Sequence, residues 1–397
     1  MIVAQPAQIA ITANTSARQK GLRVFFRSCI RPSLLFFLIF GKGDGAFVVS
    51  AFFHLAQFNG VGIDYFILRA ALVAQDDLSL FDLIFGFYSF ESLNQPPTIY
   101  SYDTANKKSS VFFAEKVLFI SDRYEVRQVF FHSKDGTRVP MFIVGRKGLP
   151  RDGSVPTLMT AYGGFNLSMT PEWNPEYAWW LEQGGYFALP NLRGGSEYGE
   201  QWHEAGMFEH KQNVFDDFYG AAEYLIANHY TTAKLLAIRG RSNGGLLMGA
   251  AMTQRPDLFG AIWCGFPLLD MLRYQNFLVG RFWTTEYGSS ENPSQFNYLQ
   301  KYSPYQNVKA GTKYPAIMFF SGDSDTRVAP LHARKMTAAM QAASGSNRPI
   351  LLHYELKAGH SSGVSVHQLV DDYADELAFL WNETYSVVQK RPTRKFW

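Results

Sequence analysis

The sequence contains little cysteine and little net charge. Its 397 residues include two cysteines, Cys29 and Cys264, and neither lies at the spacing of a metal-binding motif, so a disulfide framework and a cysteine-based metal centre are excluded. Cys264 lies in an apolar run at residues 261–264, where a small buried side chain is expected. The 37 basic and 34 acidic residues are scattered along the chain, which argues against a nucleic-acid partner. We also expect no cofactor and no metal ion.

Long apolar runs are missing as well. No stretch reaches the roughly 18–20 apolar residues that a membrane-spanning helix needs. Basic residues precede an apolar run at residues 34–40, as in a secretory signal, but this run is short, starts late and lacks a small-residue cleavage site. We therefore expect a cytoplasmic protein without a membrane partner, with secretion as the alternative, and we expect a monomer.

From about residue 115 onwards, short apolar runs alternate with amphipathic stretches. A hairpin is predicted first, with strands at residues 125–132 and 137–144 on either side of Asp135-Gly136. Further strands are predicted at residues 156–161, 186–190, 235–239, 261–265, 316–320 and 350–355, and helices at residues 214–228, 244–253, 331–343 and 366–381. This alternation indicates an α/β fold with a mostly parallel, doubly wound sheet and helices on both faces. Functional residues of such a sheet lie in the turns at the carboxyl ends of its strands.

A glycine-rich turn follows the predicted strand at residues 235–239. It reads Gly-Arg-Ser-Asn-Gly-Gly at residues 240–245, and a helical pattern begins at once. This is the G-x-S-x-G pattern in the strand–turn–helix setting of a nucleophilic serine. The glycines leave room beside a serine whose backbone is strained. Ser242 is therefore the candidate nucleophile.

A serine hydroxyl needs a base to take its proton, and in this setting an acid and then a histidine follow the serine along the chain. His332 falls in the first turn of a predicted helix, His353 in a predicted strand and His367 in the last predicted helix. Only His360 occupies a loop after a strand, with small neighbours within residues 357–363. His360 is the candidate base.

The carboxylate partner of this base should follow the predicted strand at residues 316–320. Two aspartates do so, Asp323 and Asp325, in the sequence Ser-Gly-Asp-Ser-Asp-Thr-Arg-Val at residues 321–328. Either carboxylate could hold the imidazole in its productive tautomer. The pattern alone leaves the choice between them open.

Five blocks of the sequence form a recognisable set. They are YGGFN at residues 162–166, NLRGGSEYGEQWHEAG at 191–206, KQNVFDDFYGAAEY at 211–224, GRSNGGLL at 240–247 and WTTEYG at 283–288. Together they resemble the prolyl oligopeptidase family, and the similarity runs from about residue 87 to near residue 385. The resemblance implies an α/β-hydrolase fold and a serine peptidase that cleaves proline-containing peptides on the carboxyl side of proline.

The resemblance also implies roles for the candidate residues of the reaction. Ser242 matches the family's nucleophile, Asp325 its acid and His360 its base. Asp325 is favoured over Asp323 because it stands two residues before the arginine Arg327, as the family's acid does.

Other matches concern the oxyanion and the substrate. The backbone N–H of Asn243 and the hydroxyl of Tyr162 match the two donors that face the oxyanion. Trp283 matches the indole that stacks on the substrate's proline ring, and Arg327 matches the arginine that binds a neighbouring substrate carbonyl. The rest of the proline pocket is matched by Phe165, Leu268, Tyr287 and Val328. A flat apolar slot favours proline, whose rigid ring gives contact area at little entropic cost.

Two residues depart from the family's pattern. Arg241 stands where many relatives have glycine and could crowd the turn that holds Ser242. Leu268 is bulkier than the usual valine and could tighten the proline pocket.

The front of the chain departs further. Family members carry a seven-bladed β-propeller, of which only the last blade is recognisable, at residues 87–90 and 96–103. We predict an unassigned segment at residues 1–85, a remnant of this blade at residues 86–115 and an α/β-hydrolase catalytic domain at residues 116–397. We expect an open site with a relaxed limit on substrate length. The alternatives are a serine hydrolase of broader specificity and an inactive truncated fragment.

Overall fold

The chain forms two compact units. The computed structural model describes residues 36–43, 46–53, 67–69, 85–103, 106–360 and 364–385. Described residues up to 115 belong to the first unit, apart from residues 91–96, which belong with residues 116 onwards to the second. Most of the segment predicted as unassigned, with Cys29, lies outside the described residues, as do residues 361–363 of the loop that carries His360.

The first unit is built from β-strands. β1 (Phe36–Gly43) and β2 (Ala46–Phe53) form an antiparallel pair. A four-stranded sheet follows, in which the neighbours are, in order, β3 (Ile67–Arg69), β4 (Phe85–Ser92), β5 (Gln95–Asp103) and β6 (Lys108–Ala114). Propeller blades are four-stranded sheets. That this sheet is the last blade of a propeller stays a prediction.

The second unit centres on an eight-stranded sheet. Its strands are β7 (Tyr124–His132), β8 (Arg138–Arg146), β9 (Thr157–Thr160), β10 (Tyr186–Pro190), β11 (Leu236–Arg241), β12 (Ala261–Gly265), β13 (Ala316–Gly322) and β14 (Ile350–Glu355). They lie in the order β14-β13-β12-β11-β9-β10-β8-β7. β8 pairs antiparallel with β7 and with β10, and the other neighbours are parallel. The sheet is therefore mostly parallel, as predicted.

Helices cover both faces of this sheet. In the described residues they are α1 (Pro175–Glu182), α2 (Glu200–Glu204), α3 (Lys211–Ala227), α4 (Asn243–Gln254), α5 (Thr284–Tyr287), α6 (Pro293–Tyr302), α7 (Leu331–Ala343) and α8 (Val366–Tyr385). Neighbouring side chains of β11 point to opposite faces. Ile238 joins the apolar cluster that includes residues of α3 and α4, whereas Arg239 pairs with Glu176 of α1 and Glu376 of α8. None of these helices is both long and apolar enough to cross a membrane.

The sequence pattern locates the predicted strands and helices with small shifts at their ends, but it misses α1, α2, α5 and α6. The longest of these are α1 and α6. Both helices begin with an asparagine cap followed by proline. Asn174 accepts a hydrogen bond from the N–H of Glu176 (2.7 Å), and Asn292 accepts one from the N–H of Ser294 (3.0 Å). Asparagine followed by proline is a helix-start signal that could have located both.

Cys264 lies in β12, in the interior of the sheet. It is fully buried, as expected, and its Sγ donates a hydrogen bond to the carbonyl oxygen of Gly245 in α4 (3.3 Å). Burial raises the pKa of this thiol well above its usual value. The side chain therefore packs as a small apolar group.

Arg193 joins three parts of the second unit. It follows β10, and its guanidinium pairs with Asp217 of α3 (Nη2–Oδ1 2.6 Å) and with Asp135 in the β7–β8 turn (Nη1–Oδ2 2.5 Å). Arg193 and Asp217 are buried. Because a buried charge without a partner is costly, this arginine fixes the β7–β8 turn and α3 to the segment that follows β10.

Replacement of Arg193 should destabilise the fold strongly. In Arg193→Met the buried carboxylate of Asp217 loses its partner, and we expect the free energy of unfolding to fall by about 3–5 kcal/mol. Arg255→Met is the matched control, because Arg255 pairs with Glu223 and Asp257 at the surface. Such pairs contribute ~1 kcal/mol or less. Urea denaturation measures both variants, and equal losses would contradict the role of the buried network.

Candidate active site

The turn between β11 and α4 holds Ser242 in a strained conformation. Its φ of 58° and ψ of −118° lie where residues other than glycine are rare. A Cβ at Gly240 would overlap the carbonyl oxygen of Gly244, so the glycine at position 240 allows the chain to approach itself this closely. The N–H of Ser242 donates to the carbonyl oxygen of Gly265 in β12 (3.0 Å). The turn therefore places the serine at the carboxyl edge of the sheet.

An imidazole–carboxylate pair lies at the same edge. Nδ1 of His360 is 2.8 Å from Oδ2 of Asp325, which is buried. The other carboxylate oxygen, Oδ1, accepts hydrogen bonds from the N–H groups of Arg327 and Val328, both at 2.8 Å. Because the carboxylate is fixed through both oxygens, it orients the imidazole, and Nε2 can accept a proton.

Asp323, the other candidate acid, is placed differently. Its carboxylate is exposed and its Oδ1 accepts a hydrogen bond from the hydroxyl of Tyr354 (2.5 Å). The structure thus pairs His360 with Asp325, whereas the pattern of the loop left the two aspartates equal.

Asn243 links Tyr162 to the start of α4. Its side-chain amide donates to the carbonyl oxygen of Tyr162 (2.6 Å) and accepts from the hydroxyl of Tyr287 (2.8 Å). Burial raises the pKa of the Tyr162 hydroxyl, while a hydrogen bond with Ser242 and the charge of Arg327 oppose this rise. The phenol therefore stays protonated at neutral pH and can donate a hydrogen bond beside the serine.

A cavity of about 680 Å³ opens at this edge of the sheet. Four of the predicted site residues line it, namely Tyr162, Ser242, Arg327 and His360. Cavities of this size bury small ligands or parts of larger ones. A hydroxyl, an imidazole, a phenol and a guanidinium therefore face one common space.

The residues predicted to bind proline do not line this cavity. The ring of Phe165 packs edge-on against that of Tyr287, with centroids 5.5 Å apart. Phe165 and Trp283 keep part of their surface exposed, whereas the other three are buried in the core, namely Tyr287, Leu268 and Val328. The structure thus leaves the rings of Phe165 and Trp283 accessible to a ligand and uses the other three for packing.

A charge network that the sequence reasoning missed lies beneath the turn after β9. Nζ of Lys211 donates to the carbonyl oxygen of Gly163 (2.8 Å) and lies 3.5 Å from Oε1 of Glu286. Glu286 also accepts from the N–H of Phe165 (3.0 Å) and lies 2.9 Å from Nε2 of His203. Burial lowers the pKa of Lys211 to about 8, although Glu286 acts against this change. Lys211, Glu286 and His203 all lie in the sequence blocks that resemble the family. Their place in these blocks is the feature of the sequence that could have identified them.

One group of side chains among the described residues could hold a metal ion. It consists of His353, Glu355 and Asp372, whose ligand atoms lie within 4.8 Å of one another. Nε2 of His353 and Oε1 of Glu355 are 2.7 Å apart. None of the three side chains lines the cavity at Ser242, so the group is separate from the candidate active site.

Residues 171–386 match the model of the prolyl oligopeptidase family. The matched segment includes Ser242, Asp325 and His360. The chain belongs to the prolyl oligopeptidase family.

Some curated relatives of this chain are named prolyl endopeptidase. One from Elizabethkingia miricola is 47% identical over 294 residues, which is 74% of this chain and 42% of the relative. One from Dictyostelium discoideum is 43% identical over 300 residues, 74% of this chain and 40% of the relative. The chain therefore spans less than half the length of these relatives.

Solved structures of the family share the fold. One from a study of two prolyl endopeptidases matches with a TM-score of 0.75 and 41% identity, over 89% of this chain and 53% of that chain. Prolyl oligopeptidase B from Galerina marginata, bound to a 35mer hydrolysis and macrocyclization substrate, matches with a TM-score of 0.75 and 31% identity, over 88% and 49%. The predicted α/β-hydrolase fold is therefore confirmed.

His332, one of the histidines that the helix pattern argued against, is buried in the core of this prolyl oligopeptidase fold. Its Nδ1 accepts hydrogen bonds from the N–H groups of Leu269 (3.4 Å) and Asp270 (3.2 Å). Burial lowers the pKa of the imidazole to about 4. His332 is therefore neutral in the folded chain.

Folding stability should fall when this histidine is forced to take a proton. The pKa of His332 is about 4 in the folded chain and about 6.5 in the unfolded chain, so the unfolded chain binds the proton first as the pH falls. The stability gained by keeping His332 neutral is complete above pH ~6.5 and is lost as the pH falls towards ~4. Urea denaturation across this range should show the decline, and His332→Gln should show a smaller one. The same slope in variant and parent would contradict the assignment.

Proposed function

We propose that this chain is the catalytic part of a serine peptidase that cleaves proline-containing peptides on the carboxyl side of proline. The observation that carries the proposal is the meeting of Ser242 with the His360–Asp325 pair at one cavity. Membership of the prolyl oligopeptidase family supports it. So do the curated relatives, which are named prolyl endopeptidases.

The reaction proceeds through an ester on Ser242. Its Oγ attacks the substrate carbonyl carbon while Nε2 of His360 takes the hydroxyl proton and passes it to the leaving amine as the C–N bond breaks. Water then attacks the ester and gives a proton to His360, which returns it to Ser242 as the acid product leaves. Asp325, fixed by two backbone N–H groups, stabilises the imidazolium that forms in both steps.

The negative charge that develops on the substrate oxygen requires fixed donors. We propose that these donors are the hydroxyl of Tyr162 and the backbone N–H of Asn243. Asn243 follows Ser242 at the start of α4. Because the raised pKa keeps the phenol protonated, the donor needs no reorganisation at the moment of reaction. The N-terminus of α4 adds a partial positive charge.

Recognition of proline is proposed for the accessible aromatic rings. Trp283 and Phe165 keep exposed surface, and buried side chains support them from the core, namely Tyr287, Leu268 and Val328. Stacking on a rigid pyrrolidine gives contact area at little conformational cost. Arg327 is exposed and lines the cavity, where its guanidinium can bind a substrate carbonyl oxygen.

We propose the same domain boundaries as the sequence predicts. Residues 116–397 form the catalytic domain, and the strands within residues 86–115 derive from the last propeller blade. The division of the chain into two compact units near residue 115 supports this proposal, as do the three adjacent strands β4, β5 and β6. A cytoplasmic location and a monomeric state, both expected from the sequence, stay predictions.

Ser242→Ala should abolish covalent labelling by a fluorophosphonate probe and hydrolysis of a proline amide, because the bond-forming atom is removed. Circular dichroism should show an unchanged fold, since the hydroxyl contributes little to packing. Ser154→Ala is the control, because this exposed serine bonds to Asp152 and does not line the cavity, and it should keep both activities. Near-parental turnover by Ser242→Ala would show that the nucleophile is another residue.

A panel of amides that differ in the residue before the scissile bond distinguishes the alternatives. Faster turnover of proline amides than of alanine amides supports the proposed function. Equal turnover of both would point to a serine hydrolase of broader specificity. A parent chain that the probe does not label would contradict the peptidase function and point to an inactive fragment.

Asp325→Asn should lower turnover by about 10⁴-fold, because the amide cannot hold the imidazole in its productive tautomer. Asp323→Asn is the matched control, since its carboxylate bonds to Tyr354 and not to the imidazole, and it should cost far less. Steady-state kinetics on a proline amide measures both. The reverse ranking would overturn the choice of acid.

A further inference from the structure

Arg241, the residue before Ser242, contacts the loop that carries His360. Its Nη2 donates a hydrogen bond to the main-chain carbonyl oxygen of His360 (2.9 Å). Sequence reasoning suggested that this side chain could crowd the turn around the serine. The structure instead engages it with a segment 119 residues further along the chain.

The same guanidinium also approaches the imidazole of His360 through an intervening ring. Cζ of Arg241 lies 4.8 Å from the ring centroid of Phe266. The ring of Phe266 is buried and packs edge-on against the imidazole of His360, with centroids 5.3 Å apart. Guanidinium, phenyl and imidazole therefore form a continuous series of contacts, in which a cation–π contact adjoins an edge-on aromatic contact.

The ring and the main chain of His360 are held by different residues. Asp325 bonds Nδ1 and so sets the tautomer and the direction of the ring. It does not fix the main chain of the loop. Among the described residues, Arg241 is the side chain that donates to the main chain of His360. An arginine is suited to this task because its guanidinium can donate a hydrogen bond through one nitrogen while its charge lies over an aromatic ring.

We propose that Arg241 is a positioning residue that couples the serine turn to the histidine loop, so that Ser242 and the Nε2 of His360 keep one relative position. The proposal rests on the peptidase function proposed above. Two residues adjacent in sequence then have linked roles: Ser242 is the nucleophile, and Arg241 sets the position of its base. A displacement of about 1 Å at a reacting group can cost on the order of 100-fold in rate, so the coupling matters for the chemical step.

The test compares Arg241→Met with Arg348→Met. Arg348 is a matched control because its Nη2 also donates to main-chain carbonyl oxygens, those of Glu383 (2.7 Å) and Gly260 (3.2 Å), and it does not line the cavity. We expect Arg241→Met to lower kcat on a proline amide by about 10-fold to 100-fold with KM nearly unchanged. Arg348→Met should leave kcat within about twofold of the parent at a temperature where both variants are folded.

Two further measurements separate positioning from other roles of Arg241. Arg241→Lys keeps the charge and one donor and should recover part of kcat, and free guanidinium ion added to Arg241→Met should recover part as well. An effect confined to KM would overturn the proposal, because it would show that Arg241, which also lines the cavity, binds substrate instead. Parental kcat in Arg241→Met would overturn it too.

Amide hydrogen exchange at residues 357–360 gives a readout that does not depend on turnover. Arg241→Met should exchange faster there than the parent, and Arg348→Met should not. If the parent chain neither hydrolyses the amide nor reacts with the fluorophosphonate, the peptidase function fails, and exchange alone then judges whether Arg241 holds the loop. Unchanged exchange in Arg241→Met would overturn the positioning proposal whether or not the parent is active.

Discussion

The chain turns from β11 into α4 within a single residue, and the arrangement of the site depends on this turn. Ser242 takes a positive φ, and Gly240 lacks the Cβ that would overlap the carbonyl oxygen of Gly244 on the other side of the turn. Its N–H is satisfied by Gly265 of the neighbouring strand. The residues on either side are then fixed as well: Arg241 faces the histidine loop, and Asn243 binds the carbonyl oxygen of Tyr162. A change in the turn would move all these contacts together.

Buried ion pairs hold the segments that surround this turn. Lys211 and Glu286 meet beneath the chain that follows β9, and Arg239 of β11 stands between Glu176 of α1 and Glu376 of α8. Burial raises the pKa of the Glu376 carboxyl, and the charge of Arg239 opposes this rise. Such pairs add little net stability over apolar packing, but separating the partners is costly. They therefore specify which segments meet, while the apolar core supplies most of the driving force.

Local patterns predicted the parts of the molecule that depend on neighbouring residues. The glycine spacing around Ser242 locates the strained turn, and the position of His360 after a strand locates the imidazole. The choice between Asp323 and Asp325 could not be made from the pattern, since both follow the same strand and only the bond to a residue 35 positions away separates them. The resemblance to a family favoured Asp325, the residue that the structure pairs with His360.

Contacts between distant segments were beyond the reach of local patterns. Glu286 pairs with Lys211, which lies 75 positions earlier in the chain. The residues around either partner do not indicate that the two side chains pair. The same holds for the exposure of the predicted pocket: Tyr287 fits an apolar slot by type, yet its ring is fully buried and its hydroxyl is bonded to Asn243. Residue type predicted the chemistry of these side chains, whereas tertiary packing decided which of them a ligand can touch.

The reactivity of the Cys264 thiol can report on opening of the interior of the sheet. Alkylating reagents attack the thiolate, and the raised pKa and complete burial of this thiol suppress reaction in the closed fold. Its Sγ bonds to Gly245, three residues after the serine. A reagent can therefore reach the sulfur only when the packing around β12 opens. The rate of alkylation at Cys264 thus reports how often the structure around β12, next to the serine turn, opens. This measurement needs no added label.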